Sequence, residues 1–192
     1  MDDTHGSMEE ALAAGEMARR ERRLNDAAEA FAKATTLCRA ANDRRALMHA
    51  LTREAQIARD RGKWAEALVF QQQALMHARD ICEAGQLAHV VRHLADILDE
   101  MGRHDEATCL YEELTALYSR SPDTSPLELA NAIRSVACHE EALGNRDRAV
   151  SLWCDLRDRY AALGDMFRET YGLSNNPGVE EADRHLARLS AL

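Results

Sequence analysis

One frame recurs four times along this chain, and a period of about forty residues restricts it to architectures in which each unit packs mainly against its neighbours. The four segments begin at Leu24, Trp64, His104 and Arg146, and each carries an alanine at the same place: Ala27, Ala67, Ala107 and Ala149, separated by 40, 40 and 42 positions. Four residues later stand Phe31, Gln71, Tyr111 and Trp153, and three further on Ala34, Ala74, Leu114 and Leu156. An i, i+4, i+7 spacing is one face of a helix, so each segment predicts a helix with a small-then-large buried stripe.

A second helical pattern precedes each segment and ends in a turn. The turn holds Gly62, Gly102 and Gly144 in the last three repeats and Arg22 in the first. Glycine suits the left-handed residue that closes a helix, because it has no Cβ to collide with the following carbonyl. Ser125-Pro126-Leu127-Glu128 supplies a cap serine, a proline for the first helical position and a glutamate three residues after the cap, which predicts a helix start near Pro126. Ser119–Thr124, with Pro122, is then the longest link between repeats. After Gly164 the pattern predicts a short helix to about Tyr171, a turn over Ser174–Gly178, and a last helix carrying Ala182, Leu186 and Leu189. This segment reads as a degenerate fifth repeat or a C-terminal cap, since an end hairpin otherwise leaves one apolar face bare.

Composition removes several function classes. Aromatics are 5% of the chain against 46% hydrophobic residues, so alanine and leucine carry the core and favour helix over strand. Net charge is −9, which repels a phosphate backbone and argues against nucleic acid as the ligand. No apolar run is long enough for a membrane span, and the acidic, polar start is unlike a signal peptide; a cytoplasmic location is expected. The five cysteines are odd in number, widely spaced and without a Cys-x-x-Cys pair, so each reads as a small helical hydrophobe rather than a disulfide or zinc ligand. Trp64 and Trp153 read as core packing. No nucleophile elbow, phosphate-cradling loop or dinucleotide fingerprint is present, and neither catalysis nor a cofactor is expected.

The paired helices, the glycine turns and the small-aromatic stripe together resemble the tetratricopeptide repeat family over roughly residues 9–163. The family's small residue before the turn corresponds to Gly15, Ala55, Ala95 and Ala137, and its large residue early in the first helix to Ala11, Leu51, Val91 and Ile133. The period exceeds the family's usual length by six to eight residues, as in kinesin-light-chain-like repeats. The resemblance implies an all-α solenoid of four to five antiparallel hairpins: residues 1–7 disordered, then one domain over 8–192, with repeats at about 8–41, 43–83, 86–119 and 126–163 and a capping hairpin at 165–191.

The resemblance also implies that the first helix of each hairpin lines a concave groove through its second, fifth, sixth, ninth and twelfth positions. Here these include His49, Arg53 and Gln56 in repeat two, His89, Arg92, His93 and Asp96 in repeat three, and Arg134 and Cys138 in repeat four. The row through Arg53, Arg92 and Arg134 with His49, His89 and His93 is basic and suits a carboxylate; these residues also read as ordinary solvated groove positions. His89 and His93 are spaced for chelation but lack a matching third ligand, and no metal is expected. Leu12 and Glu16 replace the residues with which chaperone-binding members clamp a C-terminus. The function this implies is a peptide- or protein-binding scaffold; a self-associating structural protein and a regulatory module of a signalling system are the alternatives.

Overall fold

The computed structural model describes the backbone of residues 2–121, 124–171 and 176–191. Among these residues there are ten helices and no strand: α1 (Asp2–Arg20), α2 (Leu24–Ala41), α3 (Arg44–Asp60), α4 (Trp64–Ile81), α5 (Ala84–Glu100), α6 (His104–Ser119), α7 (Pro126–Ala142), α8 (Arg146–Ala162), α9 (Gly164–Tyr171) and α10 (Pro177–Ser190). This is the all-α helical-repeat architecture that the period predicts. Two compact units are present, Met1–Arg103 and His104–Leu192.

In the first unit, α1 packs on α2, α2 on α3, α3 on α4 and α4 on α5. The stripe is buried as its spacing requires: Ala27, Phe31 and Ala34 on α2 and Ala67, Gln71 and Ala74 on α4 are all fully inaccessible. The reason for a small residue at the facing position is visible at Gly15, where a Cβ would lie 2.5 Å from the Phe31 ring. Repeat two has Gln71 in the aromatic place; its Nε2 donates to the Val90 carbonyl at 3.0 Å, while its buried Oε1 lacks a hydrogen-bond partner among the described residues. Helix starts differ in chemistry. Asp43 caps α3 by accepting from the Ala46 amide at 2.9 Å, whereas the side chain of Ser125 makes no such bond at α7, and Pro126 alone sets that start.

The second unit is built on α8. Trp153 and Leu156 are fully buried, joined in one core by Ala130, Ala137, Ala182 and Leu189. The last helix docks through Asn176, which donates to the Tyr160 carbonyl at 2.8 Å and accepts from the Gly178 amide at 2.9 Å. Gly178 lies against the Tyr160 ring, 2.3 Å from where a Cβ would be. α10 therefore packs directly on α8, whereas α9 barely touches it.

Other expectations are corrected. α1 begins at Asp2, so residues 2–7, expected to be disordered, are helical. Trp64 is only half-buried, because it opens α4 instead of sitting inside it. Cys82 is no helical hydrophobe: it is exposed and left-handed, φ 59°, as the cap of α4. Pro177 and Gly178 start α10, and the rest of the predicted Ser174–Gly178 turn lies mostly outside the described residues, as does Pro122 in the Ser119–Thr124 link.

The glycine turns form as predicted, with φ of 71°, 73° and 77° at Gly62, Gly102 and Gly144. Arg22 adopts the same conformation, φ 58°, without the glycine that makes it easy. Left-handed backbone costs a Cβ-bearing residue about 1 kcal/mol. Arg22→Gly is therefore expected to stabilise the protein by about that amount, read as a raised midpoint in urea at unchanged slope; a lowered midpoint would contradict the turn assignment.

Candidate functional site

The predicted site residues of the first unit lie on α3 and α5, and their side chains form one connected network. Arg53 binds Glu16 of α1 at 2.5 Å and donates to Gln56 Oε1 at 2.8 Å. Gln56 Nε2 lies 3.3 Å from His93 Nε2. Arg92 Nη2 approaches the same ring nitrogen at 3.2 Å, and Arg59 Nη1 lies 3.4 Å from Nδ1 on the other side. Asp96 is the carboxylate these groups share, 3.5 Å from Arg92, 3.8 Å from His93 and 3.9 Å from Arg59. His89 meets His93 edge to face, ring centroids 4.6 Å apart. His49 is exposed, one turn before Arg53.

Helical geometry explains why these residues meet. Positions 89, 92, 93 and 96 are spaced i, i+3, i+4 and i+7 and share one face of α5, while 53, 56 and 59 share one face of α3. Glu16 and Arg59 occupy the ninth and twelfth positions of their helices, the row already identified, but membership of the site comes only from the ion pairs that tie them to Arg53 and Asp96. These polar contacts tie α3 to α5 beside the core in which Ala55 and Ala58 join Ile97.

The charge of the site differs from a sum over residue types. Burial, with Arg92, Arg53 and His49 nearby, pushes the His89 imidazole down to about 4. His93 is 8% exposed, and burial with Arg92 and His89 holds it well below the ordinary histidine range. Both rings are neutral near pH 7, because a proton there would be desolvated and repelled by guanidinium groups. The positive character of this face is arginine's alone.

In the second unit Arg134 is committed elsewhere. Its guanidinium makes a two-pronged contact with Glu181 of α10, Nε donating to Oε2 at 2.7 Å and Nη2 to Oε1. The pair holds the Glu181 carboxyl below its usual range and the Arg134 guanidinium above its own. Asn131, next on the same face, accepts from the Tyr160 hydroxyl at 2.8 Å. Glu141, the twelfth position, accepts from Trp153 Nε1 and pairs with His185 Nδ1 at 2.6 Å and with Arg188; the His185 ring stacks on Trp153 at 4.0 Å. Cys138 is half-buried and packs against the α8 core. The α7 face is thus covered by Glu181, His185 and Arg188 of α10, residues absent from the sequence-derived site because nothing local to α10 signals which helix it will meet. Their i, i+4, i+7 spacing was the one available sign that they share a face.

Among the described residues no helix is long and apolar enough to cross a membrane. The tetratricopeptide repeat profile matches residues 47–120. No curated relative matches the sequence. In fold, the chain is similar to a Podosopora anserina chain of kinesin light chain type built of nearly identical TPR-like repeats, with TM-score 0.69 and 14% identity over 95% of this chain and 84% of that one. It is also similar to BtubC (BKLC) from P. vanneervenii, TM-score 0.54 at 15% identity over 98% and 91% of the two chains. A third is a Rap protein complexed with competence and sporulation factor, TM-score 0.65 at 13% identity over all of this chain and 65% of that one.

The neutral histidines give a direct measurement. An unfolded histidine takes up its proton near pH 6.5, whereas folded His89 holds off until about 4. Their contribution to stability is intact above about pH 6.5 and is lost as the pH falls from there toward 4. The ring C–H resonances of His89 and His93 are expected to stay unmoved from pH 8 to 5.5, and Arg92→Gln to raise the His89 midpoint; a wild-type midpoint near 6.5 would rule this out.

Proposed function

This chain is a tetratricopeptide-repeat protein, and we propose that it holds a peptide segment of a partner protein against the face of α3 and α5 that carries Arg53, Arg59 and Arg92. Helical-repeat arrays of this kind are generally non-catalytic protein-interaction scaffolds, since stacking leaves long side-chain rows free for a partner. The observation that carries the reading is the Arg53–Gln56–His93–Arg92–Asp96 network: arginines preorganised by partners at set distances, on a face where the histidine rings add no charge. Such a site favours a carboxylate-bearing peptide, which exchanges with Asp96 or Glu16 for the guanidinium groups. His49 and His89 offer ring edges to the rest of the segment.

Arg134 and Cys138 are secondary in this proposal. An incoming carboxylate at Arg134 would first have to displace Glu181. Residues 8–192 are taken in this proposal as one repeat array, which the 95% coverage in the kinesin-light-chain-type likeness supports, and its location as the cytoplasm. The Rap protein, whose structure contains competence and sporulation factor, supports a signalling role as one form of the same reading.

A peptide library with free carboxylates tests it. Wild-type protein is expected to enrich acidic peptides, and Arg92→Glu to weaken them about tenfold or more while Arg157→Glu, on α8, does not. Enrichment of basic peptides, or indifference to Arg92→Glu, would overturn the proposal. Self-association is the second reading, favoured by Val69 and Met76 of α4, which are 52% and 69% exposed and seven residues apart on one face. Light scattering on the purified chain is expected to show a monomer if α3 and α5 are the working face alone; a dimer dissolved by Met76→Glu would establish the second.

A further inference from the structure

The seam between α6 and α7 is built differently from its counterparts. Asn42–Asp43 joins α2 to α3 and Cys82–Glu83 joins α4 to α5, whereas Arg120–Ser125 joins α6 to α7. The longer link frees α7 from the close approach that a two-residue turn enforces. Equivalent positions register the consequence. Leu51 and Val91 are fully buried, yet Ile133 is only half-buried; Leu94 is 5% exposed, yet Val136 is half-buried. On the facing helix, Thr35 and Leu75 are buried while Thr115 is exposed, and Cys38 and Ala78 are inaccessible while Tyr118 is half-buried.

What opens is a cavity of about 390 Å³ between α6, α7 and α8. Its wall is hydrocarbon: Leu114, Leu129, Ile133, Val136 and Leu152, with the Tyr118 ring. The hydroxyls of Thr115 and Ser119 at the edge are spent on their own helix, donating to the carbonyls of Tyr111 and Ala116 at 2.9 Å each. Among the described residues that line it, one cation stands at the mouth. Arg148 lines this cavity and an adjoining one of about 340 Å³, its side chain 68% exposed; one nitrogen holds buried Glu140 at 3.0 Å, and Glu140 is held in turn by Asn145 at 2.7 Å. Glu140 is thus satisfied within the fold, and the guanidinium keeps further donors facing out.

We propose that this seam binds an aliphatic monocarboxylate, its chain along Ile133, Val136 and Leu152 and its carboxylate on the outward donors of Arg148. The volume is at the lower end of small-molecule sites, which suits a single alkyl chain, and an apolar wall with one placed charge is the composition of a site that orients an amphiphile. Burial of the chain supplies affinity and Arg148 supplies the choice of head group. The site is separate from the α3–α5 face and does not depend on the peptide reading.

Calorimetric titration with decanoate, decanol and decyltrimethylammonium, all below micellar concentration, tests the assignment. Decanoate is expected to bind one to one and at least tenfold more tightly than decanol, with the cation weakest; Arg148→Gln is expected to bring decanoate to the level of decanol. Val136→Phe, which fills the cavity from α7, is expected to abolish binding of both while keeping or raising the urea midpoint, so lost binding is not lost folding. Absence of decanoate binding, undiminished binding in Val136→Phe, or equal binding of decanoate by wild type and Arg148→Gln overturns the proposal.

Discussion

The close approach of paired helices through one small residue on each is the constraint from which the other features follow. Gly15 against Phe31 shows its limiting case: the ring occupies the volume a Cβ would need, and Phe31 itself has no exposure. Ala55, Ala95 and Ala137 stand at the same place in later repeats and are also buried. Once that contact fixes the rotation of a first helix, the positions two, three and six residues before the small one are fixed with it, and these carry Arg53, Arg92, His49 and His89.

Electrostatics then depends on what each row meets. On α5 burial, and after it Arg92, suppresses the protonation of two histidines, so a face rich in nominally basic residues carries fewer charges than its sequence suggests. On α7 the equivalent row meets α10 and is consumed: Arg134 by Glu181, Asn131 by Tyr160, Glu141 by His185 and Arg188. Such pairs are worth little when exposed, but partial burial and two-pronged geometry raise the value of Arg134–Glu181 as a fastening for the final helix.

Departures from the repeat are where the chain acquires individuality. Gln71 puts an amide among aromatics, Arg22 puts a Cβ in a glycine conformation, and the long α6–α7 link leaves an apolar seam open. Each weakens local packing by the standards of the other repeats, and an array whose stability is a sum over neighbouring units tolerates such local cost.

The sequence by itself determined helix identity, order and turn positions: the 3.6-residue periodicity and the glycines at 62, 102 and 144 are local signals, and local backbone sterics settle them. It also determined which residues share a face, because 89, 92, 93 and 96 are bound to one another by helical spacing alone. Only the tertiary structure decided which of those faces stay open. Whether Arg134 is available depends on Glu181, 47 residues away, and whether Ile133 is covered depends on how near α6 comes. The same holds for the Asn176–Gly178 docking that makes α10 the neighbour of α8. Charge states followed the same division, since the neutrality of His93 comes first from burial, which needs the packed fold, and only then from Arg92 and His89 beside it. Periodicity is a property of neighbours in sequence; occupancy of a surface is a property of neighbours in space.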